Sequence, residues 1–163
     1  MTKQAKQYIK ENIPYYGKIP TKGRYAGVKA KSWSILSDYT RCRDFILYGT
    51  FVDSGEKVRH WRDGDAGHYI SMAGHGVYSG FSDKNIHLQS KSGNGWGGQD
   101  VGYAFGKELE RRYGKKFLLE LKKDVQVYAK DDDWFHIEKI KEIYNKFQQL
   151  KKKYPNYEYP QYV

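Results

Sequence analysis

Between residues 65 and 100 glycine recurs too often for a long helix to run through the segment, and this constrains what the chain can build there. Ala66–Met72 and Lys84–Gln89 suit two short antiparallel strands, joined by a loop containing Gly74, Gly76 and Gly80. Gly93, Gly95, Gly97 and Gly98 then permit a sharp approach to a helix over about Val101–Tyr113, which Gly114 stops. Three polar side chains arrive in order on this frame: His68 in Asp65-Ala66-Gly67-His68, Asn85 in Asn85-Ile86-His87, and Asn94. The sequence predicts an α+β fold with a ββα core. His68 would lie on the first strand, Asn85 on the second and Asn94 at the helix start.

Helices flank that core. Trp33, Leu36, Tyr39 and Ile46 are spaced mainly for one face of a helix from about Lys31 to Leu47, with Gly49 as its stop. Residues 50–64, with Val52, Val58 and Trp61, read as loop and short strand, and a further helical stretch covers Phe117–Lys123. A last helix spans about 133–152, capped by Asp133, with Trp134, Ile137, Ile140, Tyr144, Phe147 and Leu150 on one stripe. The expected organisation is a basic N-terminal arm over 1–30 and a single domain over 31–163.

The net charge of +10 is concentrated, because residues 1–31 carry eight Lys or Arg against one acid, Glu11. Such a region attracts a polyanion. Nucleic acid is the first reading and an anionic membrane surface the second. The leader is expected to lack the amphipathic helix a membrane surface needs, since Pro14, Pro20 and several glycines interrupt it. It is read instead as partly disordered or ordered only on a partner. Cys42 is the only cysteine, which rules out an intrachain disulfide and a cysteine-based zinc cluster. No apolar run is long enough to span a bilayer, and the expectation is a soluble, cytoplasmic protein.

The ordered polar trio suits phosphodiester hydrolysis by a one-metal nuclease. A neutral histidine takes a proton from water near neutral pH, and a divalent cation stabilises the added negative charge. His68 is the candidate base and Asn85 the residue expected to hold its ring. Asp65 and Asn94 offer hard oxygens to one Mg2+ or Mn2+ ion. His87 shares a face with Asn85 by period-two spacing and is a further candidate metal ligand. Competing readings make Asp65 a turn carboxylate, Asn94 a loop residue and His87 a structural or phosphate-contacting side chain. The glycines at 93–98 lack the Lys and Ser/Thr of a phosphate-binding loop. Candidate DNA contacts are Lys22, Arg24, Lys29, Lys31, Arg41, Arg43 and Lys91, gripping phosphates without reading sequence.

Roughly Lys31 to Leu150 resembles the NinG (Rap) recombination endonucleases of phage lambda, which belong to the HNH, or ββα-metal, nucleases. The resemblance rests on Lys31-Ser32-Trp33, Asp38-Tyr39-Thr40-Arg41-Cys42-Arg43-Asp44, Asp65-Ala66-Gly67-His68-Tyr69, Asn85-Ile86-His87-Leu88-Gln89, Asn94 and Arg111-Arg112-Tyr113-Gly114. It implies cutting of branched DNA, such as Holliday-type junctions, during phage recombination in a bacterial host. By position it makes His68 the general base, Asn85 the middle asparagine and Asn94 the last metal-site residue. The family's two cysteine pairs, together a zinc site, are missing here. Their positions fall near Phe45–Tyr48 and on Ser90 and Gly93, so no structural zinc is expected. Packing by Phe45, Tyr48, Trp61 or Trp96 would replace it.

The reading is therefore a metal-dependent endonuclease for branched DNA, with a homodimer suited to a near-symmetric junction. Its rivals are a nuclease-like protein that binds branched DNA without cutting and a less selective HNH nuclease that degrades or nicks host DNA.

Overall fold

The computed structural model describes residues 2–13, 27–71, 76–96, 99–124 and 126–163. In chain order the elements are α1 (Lys3–Asn12), α2 (Gly27–Tyr48), a 3-10 turn (Trp61–Asp63), β1 (Asp65–His68), α3 (Val77–Gly80), β2 (Ile86–Gln89), α4 (Lys91–Trp96), α5 (Gln99–Tyr113), α6 (Lys115–Asp124) and α7 (Asp133–Lys153). Helices with one small antiparallel sheet make the chain α+β. None of the described helices is long and apolar enough to cross a membrane. The chain forms two compact units, Met1–Tyr39 with Lys130–Val163, and Thr40–Ala129.

In the first unit α1 packs on α7. Ala5, Ile9 and Ile13 fall at i, i+4 and i+8 and are buried, while Lys3, Lys6 and Lys10 are exposed. The described part of the leader is thus an amphipathic helix with a small apolar stripe, and its placement in the core differs from the arm expected over 1–30. Thr2 caps it by accepting from the Ala5 amide at 3.1 Å. Its Tyr8 ring meets Trp134 edge-on at 5.3 Å. On α7 Ile137, Ile140 and Phe147 of the expected stripe are buried, but Ile143 is buried in place of Tyr144 and Trp134 is exposed; Asp132, one residue earlier than expected, caps the helix through the Phe135 amide.

In the second unit β1 pairs with β2 in the register Asp65↔Gln89, Ala66↔Leu88, Gly67↔His87 and His68↔Ile86. Both strands are shorter than the sequence suggests, and every residue of β2 is buried, so the apolar–polar alternation of Ile86-His87-Leu88-Gln89 does not separate a buried face from an exposed one. A tight turn closed by the Thr50–Lys57 bridge lies against β2, where the Val52 amide donates to the Leu88 carbonyl at 2.9 Å. Val52, Phe105 and Leu109 form a buried cluster ringed by Tyr69, Tyr113, Phe117 and Leu118, which fixes α5 beside the strands. Gly49 (φ +64°) and Gly114 (φ +82°) end α2 and α5 in the left-handed conformation that glycine adopts without strain.

Candidate active site

The strand register decides which candidates can meet. Residues directly opposite each other share a face, and neighbours along a strand alternate. His68 therefore shares a face with Ile86, whereas His87 lies opposite Gly67 and points to the other side. Gly67 leaves that side open for Gln89, whose Oε1 would stand 1.8 Å from a Cβ placed there.

His68 ends β1 half-buried, with Nε2 3.0 Å from the Gly80 carbonyl. A carbonyl only accepts, so Nε2 is the donor in this contact. The Asn85 side chain holds backbone rather than the ring. Its Oδ1 accepts from the Ile70 amide at 2.8 Å, and its Nδ2 donates to the carbonyls of Ile70 (2.9 Å) and Ser79 (3.2 Å). Asn85 is fully buried and joins the chain just after His68 to the turn that presents Gly80. It thus acts on His68 through the backbone, correcting the expectation of a ring contact.

Asp65 and Asn94 are brought together. Asn94 Nδ2 donates to Asp65 Oδ2 at 3.2 Å, linking α4 to the first residue of β1. The Asn94 carboxamide and Asp65 carboxylate are hard oxygen donors at the surface, the set that a hydrated magnesium ion accepts when substrate phosphate completes its shell. Among the described residues no three His, Cys, Asp or Glu side chains converge. Asp65 and His68 sit at opposite ends of β1, roughly 10 Å apart along the strand, and their odd spacing turns them to opposite faces of it.

His87 does not join that site. It is buried, with Nδ1 3.0 Å from Asp44 Oδ2 and Nε2 3.0 Å from the Lys84 carbonyl, so both ring nitrogens are engaged away from Asp65 and Asn94. Burial and the Arg43 guanidinium expel a proton from this ring, while Asp44 and the carbonyl hold one. Burial is the larger effect and leaves the imidazole below its ordinary pKa. Burial alone would raise the Asp44 carboxyl, but Arg43 and His87 outweigh it and hold it well below the usual range.

Arg43 is likewise structural. Its guanidinium donates to Asp44 (2.7 Å) and to the carbonyls of Asp83 (2.7 Å) and Ile86 (2.9 Å), tying α2 to β2 rather than facing phosphate. Arg41 lies over the Trp61 ring at 5.1 Å, Lys31 over Tyr162 at 5.2 Å, and Lys29 pairs with Asp131. Lys91 is exposed at the start of α4, the helix that carries Asn94. Lys22, Arg24 and the Trp96 side chain lie outside the described residues.

Phe45–Tyr48 form the last turn of α2. The turn that faces Ser90 and Gly93 is instead Val52–Gly55, through Asp53. Asp44, Asp53 and Gly80 belong to no catalytic motif. The one legible signal was Asp44, one of two acids in α2, directly beside Arg43. No protein-family model, curated protein or solved structure matches this chain.

Proposed function

We propose that this protein is a metal-dependent DNA endonuclease acting on branched DNA. The observation that carries the reading is the meeting of Asp65 and Asn94 across β1 and α4, on the ribbon that also carries His68. In this reading water attacks the phosphorus, its proton passes to the His68 imidazole, and the bond from phosphorus to the 3′ oxygen breaks, the 3′ oxygen leaving with the bonding pair and taking a proton from solvent. Asp65 and Asn94 would hold Mg2+ or Mn2+, which when bound supplies stabilisation of the developing negative charge. The Gly80 carbonyl holds the ring, and Asn85 holds the neighbouring Ser79 carbonyl. The choice of branched DNA rests on the resemblance to the NinG endonucleases, and exposed Lys91 beside the site suits a phosphate contact.

A second reading is a protein that binds branched DNA without cutting it. The separation of His68 and Asp65 along β1, on opposite faces of the strand, favours it. One experiment divides the two. Labelled junction and linear duplex are incubated with the full chain and Mg2+, Mn2+ or chelator. Junction cleavage that needs metal supports the nuclease. Junction binding without cleavage under any metal supports the binding protein, and equal cutting of linear duplex supports a less selective nuclease.

A further inference from the structure

One carboxylate away from the site governs how α4 leaves β2. Ser90, the residue between β2 and α4, gives both of its donors to Asp53: its amide to Oδ1 at 3.0 Å and its hydroxyl to Oδ2 at 2.6 Å. The same hydroxyl oxygen accepts from the Gly93 amide at 3.0 Å, so Ser90 is the N-cap of α4 and Asp53 orients the cap. Gly93 is required by this clasp, because a Cβ there would stand 1.8 Å from Asp53 Oδ2. The next residue is Asn94, whose amide donates to the Ser90 carbonyl at 3.0 Å. Asp53 itself is anchored to the sheet through the neighbouring bond from the Val52 amide to the Leu88 carbonyl.

We infer that Asp53 is the positioning residue of the Asp65–Asn94 cation site, acting through Ser90 to set the first turn of α4. The inference rests on the reading of that pair as a cation site. Asp53 touches neither cation donor; it fixes the helix that brings Asn94 to Asp65. A carboxylate suits the task because it accepts from both Ser90 donors. A carboxamide in its place has a single acceptor oxygen and turns a donor toward one of them. Loss of an outer residue of this kind typically weakens metal affinity about 10–100-fold.

The test is titration of the full chain with Mn2+, read by the loss of its free-ion paramagnetic resonance signal. Wild type is compared with Asp65→Ala, Asp53→Asn, Ser90→Ala and Ser90→Thr, together with Asn94→Ala and its combination with Asp53→Asn. Asp53→Asn and Ser90→Ala should each weaken Mn2+ binding about 10–100-fold. Ser90→Thr keeps the hydroxyl and should bind nearly as wild type does. In the Asn94→Ala background Asp53→Asn should add no further loss, because the residue it positions is already gone. Amide exchange at Gly93 and Asn94 should accelerate in Asp53→Asn while β1 and β2 stay protected. Equal Mn2+ binding by wild type and Asp65→Ala would remove the cation site itself, and this inference with it. Weakened binding in Asp65→Ala but unchanged binding in Asp53→Asn would overturn the role of Asp53 alone. An equal loss from Asp53→Asn in both backgrounds would make its effect general destabilisation and overturn the inference too.

Discussion

Asp44 and His87 face each other at 3.0 Å with side chains 0% and 1% exposed, joining the interior of α2 to the interior of β2. Asp44 Oδ2 also accepts from the Leu88 amide at 2.9 Å, and the Arg112 guanidinium lies 3.9 Å away. The only histidine of the second strand is thereby spent on architecture. Breaking such a pair from one side leaves its partners buried and uncompensated, a cost of about 3–5 kcal/mol.

The pair makes the fold acid-sensitive. Both groups have folded pKa values below their ordinary ones, 6.5 for the imidazole and 3.8 for the carboxyl, so the unfolded chain binds more protons as pH falls. Their contribution is complete above the unfolded values. It declines below about pH 6.5 as the unfolded His87 gains its proton, and further below about pH 4 for Asp44. Urea midpoints from pH 8 to pH 3 should fall in those two steps. Asp44→Asn should lower stability by about 3–5 kcal/mol at pH 7 and flatten the lower step. A stability that rises between pH 7 and pH 5 would contradict both directions.

His68 and Asn85 should separate in their effects. His68→Ala removes a proton acceptor at a half-buried position and should cut cleavage of junction DNA by ~10²–10⁴ while sparing DNA binding. Asn85→Ala removes the partner of the half-buried Ile70 amide and carbonyl and of the buried Ser79 carbonyl, at ~1–3 kcal/mol for each buried group left unsatisfied. It should lower both cleavage and melting temperature. Melting curves and single-turnover cleavage on the same preparations check this. Unaltered stability in Asn85→Ala would show that its backbone bonds are dispensable.

Gly64 and Gly102 should respond to alanine with opposite signs. A Cβ at Gly64 would stand 2.5 Å from the Gln89 carbonyl oxygen and 2.5 Å from Phe51 Cε1, and a backbone atom cannot swing aside. Gly64→Ala should cost ~1–3 kcal/mol by overpacking. At Gly102, within α5, an added Cβ meets nothing within 4 Å, so alanine there should stabilise by up to ~1 kcal/mol. Denaturant melts of the two variants test the pairing of β1 with its surroundings against simple helix propensity.

Where one periodicity dominated, the sequence was legible. The α7 stripe and the glycine stops at 49 and 114 correspond to physical requirements that local sequence states directly. Asp65 and Asn94 could be named as a pair because both carry hard oxygens on either side of a strand-to-helix frame. The destination of His87 could not be read, because period two places it on a face without saying what covers that face. Asp44, from α2, covers it. The same holds for Arg43, whose charge reads as a phosphate contact until its three carbonyl and carboxylate acceptors are known. The role of α1 was obscured differently: its lysines dominate the composition, while its apolar face is only Ala5, Ile9 and Ile13.

That narrow face yields a final prediction. Ile9 is 5% exposed and Ile13 is 1% exposed, and α1 packs on α7. Replacing a buried isoleucine by alanine costs ~2–5 kcal/mol when the site cannot collapse. Ile9→Ala should therefore lower the melting temperature clearly, whereas an unanchored basic arm would tolerate it. Lys3, Lys6 and Lys10 are exposed, so replacing all three with glutamine should leave melting nearly unchanged. If those lysines neutralise duplex phosphates, the salt dependence of DNA binding should become shallower by roughly 0.9 in log–log slope for each phosphate that the variant no longer neutralises. A helix that is core on one side and cationic on the other gives both results. Unchanged melting in Ile9→Ala together with a shallower salt slope in the triple-glutamine variant would return the leader to the status of a free arm.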